Sequence, residues 1–266
     1  MGGMKIRIII ALVIAAFSVI SYFSSSSYNA VTGEKQHVSM SEDEEIAMGL
    51  QSAPEMAQQF GGLSANAQAS ALVKQIGNAI VQQSVAKTTK YKFDFHLLAD
   101  PQTVNAFALP GGQIFITEAL LSRLKTKGQL AGVLGHEVGH VLARHSAEHI
   151  AKQKLTSGLT TAAVVGVDPT GGGAQMAQMV AGLINMKYGR GDELEADKLG
   201  LRLSAEAGYD PRALIGVMEI LAQASGGGSR QPEFASTHPS PENRVQKIEE
   251  QLKIQFPNGV PEGLTP

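Results

Sequence analysis

Residues 132 to 145 read GVLGHEVGHVLARH. This stretch sets His136, Glu137 and His140 on what reads as one helix, and it constrains the chain more than any other. Residues four apart on a helix share a face, one turn on. His136 and His140 can therefore both direct a ring nitrogen at one ion. Glu137 stands beside them, placed to take a proton from water activated at that ion. The competing reading is a core helix whose two histidines are satisfied by packing and hydrogen bonds.

The chain has 266 residues and no cysteine. Disulfides, thiolate metal sites, a cysteine nucleophile and a lipidated N-terminal cysteine are thereby excluded. Any metal must be held by His, Asp or Glu. Two histidines need a third protein ligand, with the fourth position open to water. A metzincin would continue with glycine at 143 and histidine at 146; Ala143 and Ser146 exclude that class. The segment GRGDELEADKLG, residues 189 to 200, offers Glu193, Glu195 and Asp197 instead. Glu193 and Asp197 share a face, so one can bind the ion while the other accepts the N–H of a ligand histidine and fixes its tautomer. Glu195 is expected to point elsewhere. His145 and His149 are also four apart, but no glutamate follows the first of them. At about 100° per residue they fall roughly opposite His136 and His140, and they read as surface or packing residues.

The N-terminus has the order of an export signal. Lys5 and Arg7 precede IIIALVIAAFSVI, residues 8 to 20, and Ser24 and Ser26 follow at a site suited to a signal peptidase. An uncleaved anchor running on to Phe23 is the rival. Both place the folded part outside the cytoplasm, in a bacterial periplasm. Residues 1–26 are read as signal peptide or anchor, 27–40 as linker, 41–252 as one metallopeptidase domain, and 253–266 as a loose tail.

Within the domain, Ser41 followed by Glu44 predicts a capping box opening a helix that ends at Gly61-Gly62. A second helix covers 66–84 by its apolar spacing. Alternation predicts a strand in 91–100, and residues 104–117 read as two strands joined by Pro110-Gly111-Gly112. Helices follow at 127–155, 174–186 (Met-rich), 191–207, 210–224 and 241–252, with a Gly/Pro-rich loop at 225–241. The expected fold class is α+β, mostly helical: a zincin-like domain with a small antiparallel sheet beside the HExxH helix. With 5% aromatic residues and no tryptophan, its core should be aliphatic, and a formal net charge of -2 gives no basic field for nucleic acid.

HEVGH, the ExxAD of ELEAD, NAFALPGG ahead of the metal helix and STHPSPENR near the end occur in that order. In them the chain resembles the HtpX and CAAX-prenyl-protease family of gluzincin metallopeptidases, in its soluble periplasmic BepA- and LoiP-like branch. The likeness covers roughly residues 30 to 252. It implies zinc bound by His136, His140 and Glu193, Glu137 as the base, and Asp197 supporting a ligand. The chain departs from the membrane branch in having no apolar span after residue 23. It also lacks the C-terminal helical repeats of several periplasmic relatives.

Two further segments then gain meaning. Asn105, Ala106 and Phe107 would lie on an edge strand to which an extended substrate can add; an ordinary hairpin is the alternative. His238, in THPSP, would reach the metal, either to stabilise an oxyanion or to occupy the open position as a plug, the role relatives suggest. Arg244 would support that loop or the oxyanion. The resulting expectation is a zinc endopeptidase acting on unfolded or misassembled envelope polypeptides, with membrane association through the N-terminus left open. The rival is a latent or non-catalytic zinc-containing chaperone or adaptor, with His238 plugging the metal.

Overall fold

The computed structural model describes residues 2–167, 188–226, 233–238 and 243–266. The Met-rich segment 174–186, Pro239 and Pro241 lie outside them. The helices are α1 (Gly2–Ser24), α2 (Glu42–Gln59), α3 (Ala67–Gln83), α4 (Glu118–Leu121), α5 (Lys127–Leu142), α6 (His145–Val167), α7 (Arg190–Glu206), α8 (Ala213–Gly226), α9 (Glu233–Thr237) and α10 (Arg244–Gln255). A β1–β2 hairpin (Ser26–Tyr28, Lys35–His37) precedes α2, and β3 (Asp94–Leu98), β4 (Ala106–Ala108) and β5 (Gln113–Thr117) follow α3.

α2 opens where its capping box predicts: Ser41 Oγ accepts from the Glu44 N–H, and the Glu44 carboxylate accepts from the Ser41 N–H at 2.7 Å. The mostly helical fold class stands, but the sheet is mixed rather than antiparallel, with order β3-β5-β4. The β4–β5 hairpin inserts its second strand beside β3, so β5 runs antiparallel to β4 and parallel to β3. All five residues of β5 are buried. β4 lies at the edge.

α5 crosses the core beneath this sheet. Thr126 caps its start, and every residue from Gly128 to Leu142 except Gln129 is buried. Its approach to α7 is close. A β-carbon at Gly139 would fall 2.9 Å from the Ala196 carbonyl oxygen, and one at Gly200 2.9 Å from the His136 nitrogen. Only glycine allows the two backbones so near, and that nearness brings the acidic start of α7 against the histidines.

Three expectations need correction. The helix expected over 127–155 is two helices. Arg144 takes a left-handed conformation, φ 57°, between α5 and α6. Its guanidinium forks onto Glu45 at 2.9 and 3.0 Å and donates to the Met40 carbonyl at 2.8 Å, ties from distant sequence that offset a strained backbone. Second, residues 27–40, read as a linker, include most of the β1–β2 hairpin and are tied to α5. Asn29 and Gln36, both buried, donate to the carbonyls of Leu142 and Ala143 and so satisfy the C-terminal end of α5. Third, the tail is tied down: Gly128 N–H donates to Pro266, and Thr265 bonds with Gly208 and Asp210. At the other end, α1 lies along α6, with Ser18 packed where Gly158 carries no side chain.

Candidate metal centre

One turn of α5 supplies His136 and His140, the first turn of α7 supplies Glu193, and the residue after α9 supplies His238. All four are buried, and one ligand atom from each lies within 4.8 Å of the others. His136 Nε2 is 3.0 Å from His140 Nε2 and 3.4 Å from His238 Nδ1. The Glu193 carboxylate is 3.5 Å from both His136 Nε2 and His140 Nε2, and 3.0 Å from His238 Nδ1. A tetrahedron with zinc–ligand bonds of about 2.0–2.1 Å has edges of roughly 3.3–3.4 Å. These separations, and a donor set of imidazole nitrogens and one carboxylate, fit that ion.

The ligand rings are held from behind. His136 Nδ1 donates to Asp197 Oδ1 at 2.9 Å. Arg244 grips the same carboxylate with Nε at 2.8 Å and Nη2 at 2.7 Å, while its Nη1 lies 3.2 Å from Glu193. Arg244 therefore braces two acidic residues of α7. Burial alone would lower the His136 pKa, but hydrogen bonds and charge from Asp197 and Glu193 lift it to about 9 without metal. Burial pushes His140 well below the usual histidine value. Burial would raise Glu193, yet the charge of His238 and hydrogen bonds from three histidines hold it well below the carboxylate range.

Glu137 is fully buried beside the cluster, and neither of its carboxylate oxygens has a hydrogen-bond partner. His238 Nε2 is 3.7 Å from one of them and is also unpartnered. Phe234 stacks on His238, with ring centroids 4.4 Å apart.

Asn105, Phe107 and His238 line one cavity, together with Met56, Phe60 and Thr237. Ala106 is fully buried, its β4 backbone paired to Ile116, and the Phe234 N–H donates to the Val104 carbonyl just before the strand. α9 thus lies where an added strand would begin.

Sequence reasoning missed the acidic partners of His145 and His149. His145 is buried against His140, and Glu195 points at it. Asp192 pairs with His149 at 2.7 Å. Tyr188 stacks on His140, with centroids 3.9 Å apart. The readable signal was spacing: histidines at 136, 140, 145 and 149 face acidic residues at 197, 193, 195 and 192.

The model of Peptidase family M48 matches residues 67–252, a span that includes α5, α7, His238 and Arg244. The chain belongs to peptidase family M48. It is a metalloendopeptidase of that family by the company it keeps. It is 34% identical over 235 residues to the mitochondrial metalloendopeptidase OMA1 of Schizosaccharomyces pombe, covering 87% of this chain and 68% of that protein. It is 31% identical over 183 residues to the beta-barrel assembly-enhancing protease of Escherichia coli (strain K12), covering 65% of this chain and 38% of the other. The Arabidopsis thaliana OMA1 is 39% identical over 152 residues, 57% of this chain and 30% of that one. The M48 chain thus spans two-thirds of the fission-yeast relative and little more than a third of the other two at most.

Proposed function

We propose that this M48 peptidase is a zinc-dependent endopeptidase in which His136, His140 and Glu193 hold the ion and Glu137 is the general base. One observation carries the reading. Two Nε2 atoms and a carboxylate converge at ligand spacing, and beside them lies a buried glutamate with both oxygens unpaired. Zinc, when bound, would supply Lewis acidity to the scissile carbonyl and lower the pKa of water. Asp197 keeps the His136 proton on Nδ1, leaving Nε2 to the ion. Burial raises the Glu137 carboxyl, opposed by the charges of His238 and His136. A raised carboxyl is the better proton acceptor near neutrality, and Glu137 can pass the proton to the leaving amine. Glu137→Gln should keep stoichiometric zinc and lose casein cleavage by about 10²–10⁴-fold, the share a positioned base contributes. Wild-type cleavage by that variant would remove Glu137 from the mechanism.

A second reading, a latent enzyme, is favoured by His238. Its Nδ1 sits among the ligand atoms, where it would take the position that water needs. α9 meanwhile occupies the start of the β4 edge. In this reading, displacement of α9 and His238 together would open metal and substrate strand at once.

The proposed substrates are extended or misfolded polypeptides of the cell envelope, laid along Asn105, Ala106 and Phe107. A relative named for enhancing β-barrel assembly supports that substrate class and a BepA-like branch. So does α1, whose apolar stretch Met4–Ser24 has a mean hydropathy of 2.4. At 1.5 Å per residue it is about 30 Å long, the thickness of a bilayer core. Its seat on α6 supports retention as an anchor on the periplasmic side.

A further inference from the structure

Behind His140 a chain of three side chains leads away from the metal centre. His140 Nδ1 is 2.8 Å from His145 Nδ1, and His145 Nε2 is 3.1 Å from Glu195 Oε2. His145 is 1% exposed. We infer that His145 and Glu195 are positioning residues for His140, a second support parallel to that of Asp197 on His136; the inference rests on the zinc reading above.

The argument is one of proton placement. For His140 to offer a lone pair to an ion, its proton must be on Nδ1. That N–H points at His145 Nδ1, which must then be bare to accept it. The His145 proton is therefore on Nε2, where the Glu195 carboxylate accepts it. One assignment satisfies all three groups. Without Glu195, His145 is free to carry its proton on Nδ1, facing His140. His140 would then have to accept there, and its own proton would sit on Nε2, in the ligand position. Glu195 thus sets the tautomer of a ring it does not touch, through an intervening ring.

The fold is built to bring these groups together. On an unbroken helix, residues five apart differ by about 140° in direction, and His145 would face away from His140. The left-handed Arg144, anchored on Glu45, turns the chain between them. Tyr188 lies flat on the His140 ring, with its hydroxyl 3.1 Å from Ser146 Oγ, so the ring is fixed by face and by edge. The neighbouring Asp192–His149 pair has similar chemistry and reaches His140 only through the edge of the Tyr188 ring, which makes it the comparison for a hydrogen-bonded relay.

The test is zinc affinity, measured by chelator competition on the full chain, with the visible spectrum of the cobalt-substituted protein as a second readout. Glu195 is partly exposed, so Glu195→Ala leaves no internal cavity. It should weaken zinc binding by about 10–100-fold, the range for groups that orient metal ligands, and shift the cobalt bands. Glu195→Gln should restore most of the affinity, because its amide oxygen still accepts from His145 Nε2. His145→Ala should lose at least as much as Glu195→Ala, and His149→Ala should match wild type. Wild-type affinity and spectrum in Glu195→Ala, or an equal loss in His149→Ala, would overturn the relay. A wild-type chain that takes up no zinc, or a His136→Ala chain that retains it, would overturn the metal reading and the relay with it.

Discussion

Single residues decide how this site is charged and what stands in it. Without metal, His136 has a pKa lifted to about 9 against roughly 6.5 in an unfolded chain. A raised folded-state value stabilises the fold fully below about pH 6.5, and that contribution is lost as pH rises through about 9. Zinc, held as proposed, would have to displace this proton. Calorimetry of the chelator-treated protein at pH 7, in buffers of different ionisation enthalpy, should therefore show a proton released per zinc. Affinity should tighten by about tenfold per pH unit up to about 9; uptake without proton release would contradict the assignment. His238→Ala asks a separate question. The variant keeps three protein ligands, so zinc should stay. If the ring plugs the site, casein is cut faster than by wild type. A rate about 10²–10³-fold lower would instead make His238 an oxyanion donor. The sequence showed which residues carry the chemistry because HExxH is a local pattern. It concealed His145 and Glu195 because helical angles count only along an unbroken helix, and Arg144 breaks this one.

The start of helix α5 was legible from its spacing, though its end at Leu142 was not, and the capping box of α2 was legible too. The acidic start of α7 offered Glu193 and Asp197 on one face, with Glu195 expected to point elsewhere. Its carboxylates are in fact directed at five histidines, four of them across a helix contact that spacing within one segment cannot reveal. That contact depends on absent side chains. Gly139→Ala places a methyl 2.9 Å from the Ala196 carbonyl oxygen, so α5 and α7 must separate. Overpacking of this kind costs about 1–3 kcal/mol, and the separation should lower zinc occupancy as well. Gly191, in the first turn of α7, has nothing within 4 Å of a β-carbon. Gly191→Ala should hold or raise the melting temperature and leave zinc unchanged. Equal melting temperatures and zinc contents for the two variants would show that the close approach has no role.

At the scale of the whole molecule, the sequence divided the chain by composition, and the ends were where that failed. Polar, turn-rich residues 27–40 and the last residues of the chain look dispensable until their partners, Leu142, Ala143, Gly128 and Gly208, are known. The N-terminal helix poses the same question. The chain has no native cysteine, so a Ser18→Cys/Gly158→Cys pair has no competitor for disulfide formation. If α1 is retained on α6, mild oxidation of membranes containing the double variant should produce an intramolecular cross-link, seen as a mobility shift reversed by reductant. A mature protein whose mass begins after residue 18 would rule out retention. The lack of cysteine has another consequence. The candidate ligands come from α5, α7 and the residue after α9, so an ion held there closes chain loops in the way a disulfide would. A free ion concentration about 100 times its Kd adds about 2.7 kcal/mol to folding. The lifetime of the folded chain would then follow the supply of that ion in its compartment.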